Sequence, residues 1–239
     1  MTKISILYLL MVTTILTSCS SSKLTSGNTL SNKEKSQGYQ LLFDGKSMNG
    51  WRGYQNKPAG SWSVDNGALH CLGKAANHSG KSIDLMTERQ FDNFDLSIDY
   101  KISPKGNSGI LYMVTENRPN SFQSGPEYQI IDDINYPEKL EDWQHTGANY
   151  DMNPAPEANP NPAGQWNHAR IIVNGNHVEH WLNGKKVVSY ELYSHDWLKR
   201  KMVSKWKDEP DYAKSKTGHI ALQFHGDEIW FRSIKIREL

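Results

Sequence analysis

From residue 38 onward the chain runs in short stretches of alternating apolar and polar residues, broken by turn signals. That is the pattern of half-buried antiparallel strands. Phe94-Asp95-Leu96-Ser97-Ile98-Asp99-Tyr100 alternates most cleanly, and further strands are predicted at Ile83–Thr87, Glu127–Asp132, Ala148–Asp151, Val178–Leu182, Ile220–His225 and Ile229–Glu238, among others. Asn174-Gly175 and Asn183-Gly184 are hairpin turns that require positive φ. About a dozen strands at hairpin spacing predict an all-β fold, a two-sheet jelly-roll sandwich, rather than a parallel α/β sheet. One segment departs from this period. Asp196 to Lys207 predicts a helix, capped by Asp196, with Leu198, Met202 and Trp206 on its inner face. Its basic residues, Lys199, Arg200, Lys201, Lys205 and Lys207, are expected on a solvated surface. No internal repeat or second domain is evident.

The N-terminus is patterned differently. Lys3 precedes an apolar run, Ile4 to Leu16, that is too short for a membrane span and reads as an export signal over residues 1–18. Leu16-Thr17-Ser18-Cys19 resembles a bacterial lipobox, which implies cleavage before Cys19 and lipid attachment there. Residues 19–37 are Ser-, Asn-, Lys- and Thr-rich and predict a disordered tether. The expectation is a folded domain at 38–239, held by its lipid to the outer membrane, with the periplasmic side favoured over the cell surface.

Composition narrows the partners. With 27 basic against 26 acidic residues, no net field favours nucleic acid. Eight Trp, 11 Tyr and 6 Phe suit an uncharged carbohydrate that stacks on rings. Cys71, left alone once Cys19 is lipidated, forms no internal disulfide and reads as a small core residue. Nothing in the chain speaks to oligomeric state.

Candidate chemistry lies in two polar rows. In Glu127-Tyr128-Gln129-Ile130-Ile131-Asp132, alternation places Glu127 and Gln129 on one face, and a β-bulge at Ile130-Ile131 would bring Asp132 beside them. Near the C-terminus, Gln223 and His225 share a face, and Arg232 follows on the next strand. Asn107, His145, Tyr150 and His180 complete the polar candidates. No phosphate loop, dinucleotide fingerprint or nucleophile elbow occurs, and no metal-ligand spacing. No cofactor is therefore indicated, although a divalent metal held by distant strands, Glu127 with His145 or His225, stays open.

Seven segments in order resemble the 3-keto-disaccharide hydrolase family. They are Leu42-Phe43-Asp44-Gly45-Lys46 with Gly50-Trp51, Gly106-Asn107-Ser108-Gly109-Ile110, Glu127 to Asp132, Gly164-Gln165-Trp166-Asn167, His180-Trp181-Leu182-Asn183-Gly184, Leu222-Gln223-Phe224-His225-Gly226, and Phe231 to Ile236. Phe224 stands where the family is expected to carry an acid, and Ser233 where Asn is expected. The resemblance implies a concanavalin A-like jelly roll acting on glycosides oxidised to a ketone at ring C3. Such a ketone acidifies the C2 proton, so a base can remove it, the C1 substituent can leave, and water can add to the enone. The resemblance implies Glu127 or His225 as base, Asp132 as acid or its orienting partner, and Gln129, Gln223, Asn107 and Arg232 on sugar oxygens. Two other readings compete: a retaining glycosidase, since E-x-Q-x-x-D resembles the E-x-D-x-x-E of jelly-roll β-glucanases, and a glycan-binding lectin module without catalysis.

Overall fold

The computed structural model describes residues 27–73 and 83–239; the segment expected to be an export signal and Cys19 lie outside the described residues. The strands in chain order are β1 (Gln40–Leu41), β2 (Trp51–Gly53), β3 (Trp62–Asp65), β4 (Ala68–Leu72), β5 (Leu85–Thr87), β6 (Phe94–Ile102), β7 (Asn107–Val114), β8 (Glu127–Ile131), β9 (Asn167–Asn174), β10 (His177–Leu182), β11 (Lys185–Glu191), β12 (His219–Leu222) and β13 (Glu228–Glu238). Among the described residues the α-helices are α1 (Asn32–Ser36) and α2 (His195–Val203), and short 3-10 turns accompany them. The strands form two antiparallel sheets. The larger has the order β11-β10-β9-β6-β13-β4-β3 with β1 beside β13, and the smaller has the order β2-β5-β12-β7-β8.

Alternation decides what lies between the sheets. Ile110 and Tyr112 of β7 and Tyr128 and Ile130 of β8 pack against Ile98, Tyr100, Ile171 and Phe231 of the larger sheet. His180 shares this layer because it has the parity of Val178 and Leu182. The opposite face of the smaller sheet carries a second apolar cluster, Tyr54, Met86, Leu111, Val114 and Ala221. That face therefore starts apolar at one end and turns polar along the strands.

Three expectations are corrected. Residues 27–37 do not behave as a loose tether: Asn28 donates to the Gly67 carbonyl (2.8 Å) and accepts from the Ser233 N–H (2.9 Å), and Glu34 pairs with Lys235 (2.6 Å). A Ser31–Glu34 capping box closes the short α1. The predicted strand at Ala148–Asp151 is reduced to isolated bridges from Asn149 to Tyr128 and Asn153. The inner face of the predicted helix also changes. Ser194, not Asp196, caps α2, Leu198 and Met202 are 49% and 74% exposed, and Trp197 is buried instead. Ser204 ends the helix and caps a separate 3-10 turn, Lys205–Asp208, that carries Trp206. A spacing of four counted across that break does not describe one face. Trp197 and Trp206 instead each stack on the Tyr212 ring, with centroids 6.3 and 4.5 Å away.

Candidate active site

The polar half of the smaller sheet's outer face is built from register. Leu222 pairs with Leu85 on one side and Ile110 on the other, while Gly109 pairs with Gln129. One residue further along β12, the Gln223 N–H donates to the Gly109 carbonyl (2.9 Å) and the Phe224 N–H to the Asp84 carboxyl (2.7 Å). Asp84, Gln223, Gly109 and Gln129 thus form a row across four strands, with Glu127 one row nearer the apolar end. Asn107, Phe122, Glu127, Gln129, Tyr150, Lys205, Gln223 and His225 enclose a cavity of about 200 Å³ over this face.

Gly109 explains why Glu127 fits. A β-carbon there would stand 2.8 Å from Glu127 Cγ and 2.9 Å from its carboxyl carbon, closer than such atoms approach. The missing side chain on β7 is the space the Glu127 carboxyl occupies. Glu127 is 3% exposed. Burial pushes its carboxyl up to about 8, reinforced by Asp84 and opposed by the Lys205 charge and a hydrogen bond with Gln223. Such a group is protonated through most of the neutral range and ionises at its alkaline end.

The neighbours are hydrogen-bonding groups. Gln129 Nε2 donates to Asn107 Oδ1 (3.4 Å), the Asn107 amide lies 3.5 Å from His225 Nε2, and the Asn107 N–H donates to the Asp227 carboxylate (3.0 Å). The buried Oε1 atoms of Gln129 and Gln223 accept nothing from the protein among the described residues. Lys205 closes the cavity from above. As a residue it is exposed, yet its ammonium lies 4.0 Å from the Tyr150 ring centre and 4.3 Å from that of Trp206. Desolvation pulls the Lys205 ammonium below its ordinary value, against the attraction of Glu127 and Asp151. Its position is fixed by Asp151, which accepts from the Lys205 N–H (2.7 Å), and by Trp206, whose indole donates to the Tyr150 carbonyl (3.1 Å). The Tyr150 N–H in turn donates to the Glu127 carbonyl (3.0 Å), tying the lid to β8.

A second lobe of about 150 Å³ continues the cleft, lined by Tyr54, Ile83, Asp84, Asn120, Ser121 and Phe224, and shares Phe122, Gln223 and His225 with the first.

The structure thus brings together Glu127, Gln129, Asn107, Tyr150, Gln223 and His225. It places four other candidates elsewhere. Asp132 is turned away because β8 pairs with β7 without a bulge from Glu127 to Ile131. Burial would raise its carboxyl, but N–H groups of Lys105, Asn135 and Ile134 and the Asn135 amide hold it below the usual range, so it caps a turn. His145 faces Asp133 (3.3 Å) and lines a separate cavity with Asp142 and Pro154. His180 lies between the sheets, bonded to the Gly147 carbonyl (2.9 Å) and Tyr112 hydroxyl (2.8 Å), and burial lowers it to about 4. Arg232 stacks on Trp166 (3.9 Å) on the outer face of the larger sheet, 3.6 Å from Asp99. Among the described residues no cluster of three or more His, Cys, Asp and Glu could hold a metal ion. Sequence reasoning missed Lys205, Phe122, Ser121 and Asp84. For Asp84 the signal was an acid between Ile83 and Leu85 in an apolar strand; for Lys205 it was the neighbouring Trp206.

A family model described as the 3-keto-alpha-glucoside-1,2-lyase-like domain matches residues 38–237. The chain is 33% identical over 228 residues to a 3-keto-disaccharide hydrolase of Bacteroides thetaiotaomicron, covering 84% of this chain and 79% of that protein. A solved structure from Parabacteroides distasonis, named as a candidate glycosyl hydrolase, is 40% identical with TM-score 0.82 over 89% of this chain and 99% of that one. A carbohydrate-binding module from Bacillus subtilis superposes with TM-score 0.50 at 10% identity, over 79% of this chain and 96% of that one, and shows the sandwich fold alone.

Proposed function

The chain belongs to the family of 3-keto-alpha-glucoside-1,2-lyase-like domains, and from that premise we propose that it hydrolyses 3-keto-disaccharides by elimination followed by hydration. The observation that carries the reading is Glu127, a carboxyl buried on the floor of a polar cleft and raised to about 8. An acid of that strength has a conjugate base stronger than an ordinary carboxylate, yet still available near neutrality, which suits removal of a proton from carbon. Its ionised form is compensated by the Lys205 ammonium and by Gln223.

The Glu127 carboxylate takes the C2 proton, and the C–H electron pair moves onto the C3 ketone oxygen as an enolate. Amide N–H groups of Gln129, Gln223 and Asn107 are the donors positioned to hold that oxygen and the ring hydroxyls. Collapse of the enolate forms the C1–C2 double bond and breaks the C1–O bond. His225, at the junction of the two lobes, gives the departing oxygen its proton. Water then adds its oxygen to C1 and its proton to C2, releasing the 3-keto sugar. The ordinary double-displacement route needs two carboxyls roughly 5 Å apart. With Asp132 turned away, Glu127 is the carboxylate that lines the first lobe.

The experiment incubates the purified protein with a 3-keto-glucoside and follows enone absorbance and the entry of solvent deuterium at C2. Glu127→Gln and His225→Ala should each abolish turnover; normal rates in both would end the assignment. Binding of unoxidised oligosaccharide without turnover of any oxidised sugar would favour a lectin instead. For the residues outside the described part, the proposal is an export signal at 1–18 and lipidation of Cys19, so that Cys19→Ala should release the protein from the membrane fraction.

A further inference from the structure

Two lobes meeting at one acid divide a two-ring substrate. Glu127 lines only the first lobe, so the ring that loses its C2 proton lies there. Phe122, Gln223 and His225 line both lobes, which places the bond to be broken between them, beside His225. Whatever departs from C1 must then occupy the second lobe. We infer that this lobe is a subsite for a hydroxylated leaving ring and that Asp84, held by Ser121, is the residue that recognises it; the inference rests on the elimination reading above.

Asp84 is built for that purpose in a way a structural residue is not. One of its carboxyl oxygens accepts from the Phe224 N–H (2.7 Å) and the other from the Ser121 hydroxyl. Each oxygen can accept twice, so an acceptor position on each is left for sugar hydroxyls. Ser121 and Phe122 sit on one 3-10 turn, Ser121–Gln123, so the same turn holds the acid and supplies the wall between the lobes. Ile83, Tyr54 and Phe224 add apolar surface for a ring face. Burial pushes the Asp84 carboxyl up to about 6, against the two hydrogen bonds it accepts. An asparagine would satisfy the same Phe224 and Ser121 partners without the penalty of a desolvated charge, so holding those partners does not account for an acid here.

The test compares kcat/KM for a 3-keto-disaccharide with kcat/KM for methyl 3-keto-glucoside, whose leaving group leaves the second lobe empty. In Asp84→Asn, and more weakly in Ser121→Ala, the ratio of the two should fall, by about tenfold for loss of one charge-assisted hydrogen bond. Both substrates are read on the same preparation, so a partly folded variant lowers both rates and leaves the ratio alone. Ratios within about twofold of the native value in both variants overturn the subsite while the chemistry stands. A native protein that turns over neither substrate removes the elimination reading, and this inference with it.

Discussion

Replacing the proposed base should make the protein more stable, and the gain should follow pH. Glu127 has an ordinary value of 4.5 and is raised to about 8 by burial in the fold. Its folded value lies above its unfolded one, so it lowers stability wherever the unfolded chain has released a proton that the folded chain retains. The penalty is absent below about pH 4.5, grows by ~1.4 kcal/mol per pH unit, and levels off above about pH 8. At pH 7 it comes to ~3 kcal/mol. Glu127→Gln removes it and adds a buried amide whose N–H groups can reach the unpaired oxygens of Gln129 and Gln223. Allowing ~1 kcal/mol for imperfect hydrogen bonds, the net gain at pH 7 is ~2 kcal/mol, or roughly 4–8 °C in Tm for a domain of this size. Thermal melts of both proteins at several pH values between 4.5 and 9 measure it directly. The variant should melt slightly lower at the acid end, where only the ~1 kcal/mol cost of the amide is felt, overtake the native protein as pH rises, and keep a constant lead above pH 8. A difference that does not change with pH, or a native protein that melts higher at pH 8, refutes the reasoning.

Three further outcomes follow from the same geometry. Gly109→Ala puts a β-carbon against the Glu127 carboxyl; overpacking of ~1–3 kcal/mol should move the acid out of line, so kcat should fall at least about tenfold in single-turnover assays while the protein still folds by circular dichroism. Lys205→Met removes a charge that pulls Glu127 down, so the alkaline-rising limb of the kcat/KM profile should move to higher pH, by roughly one unit; an unchanged or lower limb would show that the ammonium does not act on Glu127. Asp132→Ala strips a turn of its acceptor and should destabilise by roughly 1–2 kcal/mol while turnover below the melting range persists. Because the Asp132 carboxyl is held below its unfolded value, that stability difference should be full near neutrality and shrink as pH falls through the folded value.

Period-two alternation made much of the site readable in the chain. It placed Glu127 with Gln129 and Gln223 with His225, and both rows stand in one cavity. Alternation could not show that the two rows meet, because β8 reaches β12 only through β7. The same alternation spoke against His180, which has the parity of Val178 and Leu182 and follows them into the core. Asp132 required a bulge for which its neighbours gave no sign, and an unbroken register left it at the turn. Lys205 was hidden by the break at Ser204. Read as helix, it belongs to a solvated stripe; on the 3-10 turn it is carried back over Tyr150.

The placement of the site follows from how the smaller sheet distributes its two faces. Its inner face is committed to the sandwich core, so any polar chemistry must stand on the outer face. There the row of Met86, Ala221 and Leu111 is apolar and sealed by Tyr54, while the next row is Asp84, Gln223, Gly109 and Gln129. Glu127 pairs with Leu111 in the apolar row, yet its carboxyl extends over Gly109 in the polar one. Its backbone position supplies the desolvation that raises it, and its reach supplies contact with a ring in the cleft. Asp84, which stands wholly in the polar row, is also raised by burial but only to about 6, and is the weaker base. An acid confined to the apolar row would be raised further but out of reach. The boundary between the rows, with glycine at 109, is the position on this face that meets both requirements.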